Sequence, residues 1–385
     1  MHKLKFIDGL RGVAALIVVL NHFAVGFYPA LYNGDINQVH TQSNLELIIA
    51  KSPLNLIYNG SFAVCIFFLL SGYVLSYKYF NTKKIDVLVE SAVKRYFRLL
   101  TPVLASIVLA FLLMKFSLFY NKEAGTLSFS TWWLSTFWDF DASIIDVVKN
   151  AFFGVFFNND GKYNAVLWTM TYELFGSFIV FGFAALFGRV RRRYLFYIIA
   201  IILTYNTYYL GFILGMILSD INIGGYFNKS FFRNFFFKMI LMVIGLYLAS
   251  YPSAATVNNS IYKSIEATDP KTIVLYHTLG AFCIILVLLN SVKFQTIFST
   301  KVFEFFGKIS FSMYLLHLLV IGSLSSYIFI TLIDHVSYSI AVMISLFITL
   351  PILLTLSYLM YKHVDKNGIK LANSIFNRFF KNNSQ

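Results

Sequence analysis

Long apolar runs, separated by short polar or basic segments, set the pattern of this chain. The first, GLRGVAALIVVLNHFAVGF over residues 9–27, is long enough to cross a bilayer as a helix, which takes about 20 residues. Further spans are predicted at 60–80, 99–119, 165–187, 235–250, 272–290, 309–330 and 338–360. Two unusually short runs, 194–204 and 208–219, read either as a pair of short spans or as one broken hairpin around a cavity. Residues 30–58 contain Asn33-Gly34-Asp35 and Ser52-Pro53 and form an external loop. Between 120 and 164, Trp132, Trp133 and Trp138 belong at a membrane interface. The segment 144–157 is too short to span and reads as a re-entrant or interfacial piece. Pro102 fits the first turn of the third long span. No internal repeat is visible. The pattern predicts an all-α polytopic membrane protein, a bundle of about ten transmembrane helices forming one domain over residues 1–385, with no separate soluble domain.

Composition sharpens this picture. The chain is 58% hydrophobic and only 12% charged, where a soluble domain carries about 25% charged residues. Its formal net charge of +14 would suit nucleic acid, but the distribution follows the positive-inside rule instead. The predicted cytoplasmic segments hold 24 of the 31 Lys and Arg residues. The external ones hold Lys51, Lys122, Lys149, Lys162, Lys263 and Lys271, with Lys115 near the outer end of its span. That asymmetry puts both termini in the cytoplasm, with Lys3, Lys5 and Arg11 opening the first span and Arg189 to Arg193 acting as a topology signal. Gly26-Phe27-Tyr28-Pro29 offers no small-residue cleavage site, so the first span is read as retained. Cys65 and Cys283 both lie in apolar runs and read as buried fillers; no metal-ligand spacing is present and no metal site is expected.

Against this apolar background a few polar residues stand out. Arg11 and His22 are 11 positions apart in the first span, which places them on nearly one helical face, about 16 Å apart along the axis. Ionisable groups inside a bilayer are expensive and mark function by default. His22 has two readings: a neutral histidine bonded to a backbone carbonyl between helices, or a general base. Glu173 is the only acidic residue that the predicted topology puts inside a span, at a depth that coincides with His22. It would orient the imidazole or, protonated, bond a neighbouring helix. Asp8, three positions before Arg11, reads as a helix N-cap and ion-pair partner. Arg11, Arg95 and Arg98 sit at the cytoplasmic edge, suited to anionic lipid heads or to the phosphates of a cytoplasmic donor. Ser310, Tyr314 and His317 share one helical face and would line a cavity or join helices. Ser71, Trp168 and Tyr172 are further candidates for the cavity lining, and His277 is weaker still. Intramembrane His and Glu at matched depth would also suit a proton-coupled small-molecule transporter.

The motifs that carry these residues are FIDGLRGVAALIVVLNH (6–22), FFLLSGYVL (67–75), RYFRLLTP (95–102), LWTMTYELF (167–175) and GKISFSMYLLH (307–317). Taken in order across nearly the whole chain, they make it resemble the acyltransferase 3 family of membrane O-acyltransferases. The resemblance implies a ten-span bundle in the bacterial inner membrane that moves an acyl group, usually acetyl from acetyl-CoA, onto a cell-envelope carbohydrate such as O-antigen or a lipid-linked sugar. It implies His22 as the family's essential histidine and Arg95 and Arg98 as its Arg-x-x-Arg pair for acyl-CoA. It implies no permanently bound cofactor, membrane lipid as surroundings, and no nucleic-acid partner. Many members end their last span in Glu followed two residues on by Pro; here Asp365 stands in that place, without the proline. No serine or cysteine is placed as a nucleophile, which favours direct transfer to the acceptor hydroxyl with His22, Glu173 and Arg11 as the catalytic set.

Overall fold

The computed structural model describes residues 5–381. Among these the secondary structure is helical throughout, with no strand. That is the arrangement in which a chain surrounded by lipid satisfies every backbone N–H and C=O within its own segment. In chain order the main helices are α1 (Lys5–Phe27), α2 (Gly60–Thr82), α3 (Asp86–Lys115), α4 (Ala165–Phe187), α5 (Tyr194–Thr204), α6 (Tyr209–Ile223), α7 (Phe235–Ala249), α8 (Pro270–Leu289), α9 (Lys301–Ile333) and α10 (Tyr338–Phe380). Seven of them are long and apolar enough to cross a membrane; α5, α6 and α7 are shorter apolar helices. Residues 194–219 thus form two helices joined by a turn. At 1.5 Å per residue, α5 is only about 16 Å long. Lys3 lies outside the described residues.

Small residues set the closest crossings, as expected where van der Waals packing rather than water drives association. Helix α1 lies along α9, with Gly12 and Gly307 in backbone contact. A Cβ on Gly12 would sit 2.7 Å from the Gly307 nitrogen and 2.6 Å from the Phe306 Cβ. Helix α2 is similarly pressed against α6, where a Cβ on Gly215 would come 2.8 Å from the Tyr73 nitrogen. Helix α2 also packs along α1, so α1, α2 and α9 surround a common centre.

Several boundaries differ from those read off the pattern. Helix α3 starts at Asp86, well before residue 99, because Val87 and Leu88 are buried and carry an apolar stripe through the basic segment. Lys94, Arg95 and Arg98 therefore stand on a helix rather than in a connection. Pro102 falls in the helix interior, not in its first turn; the Thr101 hydroxyl donates to the Phe97 carbonyl nearby, 3.1 Å away, one way in which membrane helices accommodate proline. Helix α10 runs on past residue 360 through a wide turn at Tyr361–Asp365, and Gly368, Ala372 and Phe376, four apart, bury one face of the basic tail against α3. Asp8 sits inside the first turn of α1 rather than capping it. Asp220 belongs to α6, where it accepts from Arg193 Nη2 at 2.8 Å and from the Tyr197 hydroxyl, so Glu173 is not alone among helical carboxylates.

The 120–164 connection folds back onto the bundle. Its short helix Ile144–Lys149 continues through a wide turn at Asn150–Gly154. The Tyr96 hydroxyl donates to the Phe152 carbonyl and the Thr171 hydroxyl to the Val155 carbonyl, tying the segment to α3 and α4. Of the three tryptophans, Trp132 is exposed, whereas Trp138 is buried, with its Nε1 donating to the Tyr163 carbonyl. Trp133 turns toward α1. Packing within the folded loop accounts for both.

Candidate active site

Two helices that the glycine crossing holds together bring two imidazoles into contact. His22 on α1 and His317 on α9 lie with Nδ1 of the first 2.7 Å from Nε2 of the second. Their ring planes are within 4° of parallel. His317 Nδ1 faces the Met313 carbonyl one turn back, at 3.2 Å. Trp133 stacks on His22, ring centroids 5.3 Å apart. His317 is fully buried, while His22 is only partly so. His22 faces inward, and its polar partner is His317.

Glu173 does not meet His22. Its carboxylate pairs with the Arg95 guanidinium and accepts from the Ser71 hydroxyl at 2.7 Å. Both charged side chains are about nine-tenths buried, at 10% and 13% exposure. A carboxylate in apolar surroundings is stabilised most by the nearest guanidinium that desolvates with it. The α3 helix, by extending through residue 95, supplies that group. One further nitrogen, Arg95 Nε, is buried without a hydrogen-bond partner.

A cavity of about 340 Å³ opens beside this pair. Arg11, Arg95, Arg98 and Lys308 give it cations, and Asp8, Glu173 and Asp365 give it anions. Ser71, Ser310 and Tyr314 add hydroxyls, and Phe67, Phe68, Leu99, Met170 and Phe311 supply apolar wall. Thr169 and Tyr314 also line it, with their oxygens 2.9 Å apart, and the Tyr314 hydroxyl lies 2.9 Å from the Val166 carbonyl. The Tyr314 ring is 5.8 Å from that of His317. The lining therefore reaches to within one ring of the paired histidines. Such a space, mixing apolar wall with converging charge, suits a ligand with an apolar portion and a charged group.

Of the residues singled out from the sequence, Arg11, Ser71, Arg95, Arg98, Glu173, Ser310 and Tyr314 line this one cavity. His22 and His317 pair just beyond it. Trp168 and Tyr172 belong instead to an aromatic cluster with Tyr208, with ring centroids 5.1 and 5.2 Å from it. His277 is held by Ser61 and the Tyr251 carbonyl in a separate polar knot near α7. Cys65 and Cys283 are both free. Among the described residues no group of three or more His, Cys, Asp or Glu side chains could hold a metal. Sequence reasoning did not assign Trp133, Thr169, Lys308 or Asp365 to the site. Thr169 stands one turn before Glu173 and was within reach of a helical-face argument; Trp133 comes from a loop whose path no periodicity reveals.

Comparison with known proteins bears on what this arrangement does. A family described as Acyltransferase domain matches residues 4–362. Acyltransferase clz18 of Cochliobolus lunatus is 25% identical, over 81% of this chain and 81% of its own length. O-acetyltransferase PaAT-1 of Phomopsis amygdali is 22% identical over 100% of this chain and 87% of its own length. No solved structure matches at the same stringency.

Proposed function

The chain belongs to the Acyltransferase domain family, and from that premise we propose that this membrane enzyme moves an acyl group, acetyl first of all, from acyl-CoA to a hydroxyl of a cell-envelope carbohydrate such as O-antigen. The name of the Phomopsis relative, an O-acetyltransferase, supports an acetyl donor and an oxygen acceptor. The observation that carries the reading is the cavity that joins a set of arginines to the neighbourhood of an imidazole pair. Acyl-CoA would enter with its phosphates at Arg11, Arg98 and Lys308, where guanidinium offers bidentate contacts. Its pantetheine arm would lie along Phe67, Leu99 and Met170. The thioester would stop near Tyr314, and His22 would take the proton of the acceptor hydroxyl. General-base help supplies about 10²- to 10⁴-fold; the remainder comes from holding donor and acceptor together.

In this reading all ten apolar helices lie in the membrane and both termini face the cytoplasm, the side from which the donor comes. The membrane is the bacterial cytoplasmic membrane that an O-antigen acceptor requires. Family membership favours group transfer over a carrier, and a direct assay separates the two. Purified protein given acetyl-CoA and a hydroxyl acceptor releases free CoA thiol if it is a transferase and none if it is a carrier. His22→Ala is expected to abolish release while leaving CoA binding intact; wild-type release from that variant would remove the base assignment. Mass spectrometry of envelope glycans from cells with and without the chain identifies the acceptor, and an unchanged acetyl content would exclude a glycan.

A further inference from the structure

The hydrogen-bond chain on α9 decides which nitrogen of His22 is free. The Met313 carbonyl can only accept, so His317 Nδ1 donates its N–H across the 3.2 Å contact. In the neutral imidazole the other nitrogen, Nε2, then carries a lone pair. Its partner 2.7 Å away is His22 Nδ1, which must therefore be the donor. The proton of neutral His22 sits on Nδ1, and Nε2 is the basic atom.

We propose that His317 is a positioning residue that locks His22 in its Nδ1–H tautomer and so makes Nε2 the atom that accepts the substrate proton. The inference deepens the reading of His22 as general base and rests on it. During transfer the acceptor O–H gives its proton to His22 Nε2. The oxygen bonds to the thioester carbonyl carbon, the C–S bond breaks, and the CoA thiolate recovers the proton from Nε2. His22 returns to its starting tautomer, and ester plus free thiol are the only products. While the imidazolium exists, Nδ1–H still points at His317 Nε2, and the Trp133 face stacked on the ring stabilises the cation. Elsewhere a carboxylate commonly fills the orienting role behind a catalytic histidine. Here the carboxylate of Glu173 is committed to Arg95, and a neutral imidazole does the orienting without adding a second buried charge.

The tautomer is tested on the unmodified full-length protein in lipid nanodiscs by ¹⁵N-histidine NMR, with the His22 signal assigned by its loss in His22→Asn. A protonated Nδ1 and bare Nε2 are expected; the reverse overturns the proposal whether or not any variant folds. Kinetics with acetyl-CoA and a methyl glucoside as acceptor supply the second arm. His317→Leu is expected to lower kcat by up to about 10⁴-fold, as loss of the correct tautomer does elsewhere, with KM for acetyl-CoA unchanged. His317→Gln keeps an acceptor for His22 and a donor for Met313, and should recover most of the loss. Equal losses in the two variants, or a Leu variant with wild-type kcat, would overturn the positioning role. Wild-type turnover by His22→Ala is the separate result that would take away the base reading beneath it.

Discussion

Replacing Glu173 by glutamine separates two roles that this carboxylate could play, orienting His22 or neutralising Arg95. In the structure it closes an ion pair with Arg95 and accepts from Ser71, both within the cavity wall. Glutamine keeps the shape and one acceptor oxygen but leaves the Arg95 charge about nine-tenths buried with no counter-ion in contact. Hydrogen bonds to charged groups contribute ~1.5–3 kcal/mol against ~0.5–1.5 for neutral ones. Outright loss of one partner of a buried pair costs ~3–5 kcal/mol. Because the amide retains part of the network, we expect Glu173→Gln to destabilise the protein by about 2 kcal/mol and Glu173→Ala by more. Arg95→Met should be comparably harmful alone, and the double variant less harmful than the sum, with a coupling of about 1 kcal/mol or greater. Unfolding in nanodiscs measures stability, and the pH dependence of kcat reports the base. The paired-arginine account predicts that the pH profile of Glu173→Gln matches that of wild type, since His22 leans on His317. A displaced profile with unchanged stability would refute it and restore Glu173 as the group that orients His22.

Other consequences can be checked in the same preparations. Gly307→Val should force α1 and α9 apart, since a Cβ on Gly307 would meet the Asp8 carbonyl oxygen of α1 at 2.3 Å; a loss of ~1–3 kcal/mol together with loss of turnover is expected, and a fully active variant would show that the crossing does not hold the histidines. Arg98→Ala should raise the KM for acyl-CoA with little change in kcat, as removal of ground-state binding does; a pure kcat effect would place Arg98 elsewhere in the reaction. His40, stacked on Tyr338 and Phe129 in the connection between α1 and α2, has its pKa lowered by burial. The folded state therefore favours the neutral ring, so stability is full above the ordinary value near 6.5 and is lost as pH falls below it. His40→Phe should flatten that acid limb in thermal unfolding, and an unaltered limb would assign the sensitivity to another group.

The geometry also bears on why a membrane enzyme would carry so few charges yet gather them. Four cations and three anions share one cavity of about 340 Å³, in a chain that is only 12% charged. Part of this set is internal compensation: Arg95 and Glu173 cancel in the wall. What is left for an anionic head lies mainly on Arg11 and Arg98, near the carboxylates of Asp8 and Asp365, because Lys308 is shared with Glu304 at 3.1 Å. A ligand phosphate would thus find moderate rather than unopposed positive charge, which would let the proposed acyl-CoA donor leave as CoA after each turnover.

The sequence alone determined that this is an all-helical membrane protein, because twenty-residue apolar runs have no other way to satisfy their backbone in lipid. It also picked out much of the cavity's polar lining, because helical spacing puts Arg11 on the face of His22 and Ser310 and Tyr314 on one face of α9. Matched depth, however, says nothing about azimuth. It put Glu173 opposite His22, whereas rotation of α3 and α4 about their axes turns that carboxylate to Arg95. Only the tertiary structure could do this, since the pairing depends on a helix that begins at Asp86 within a segment read as a basic connection. The partner of His22 was likewise hidden: His317 is 295 residues away, and it arrives through a glycine-to-glycine crossing whose register is set by close packing rather than by any pattern along the chain. Trp133, carried in by a loop, is the extreme case. Local periodicity fixes which residues a helix presents; which neighbour receives them is decided by how the helices pack.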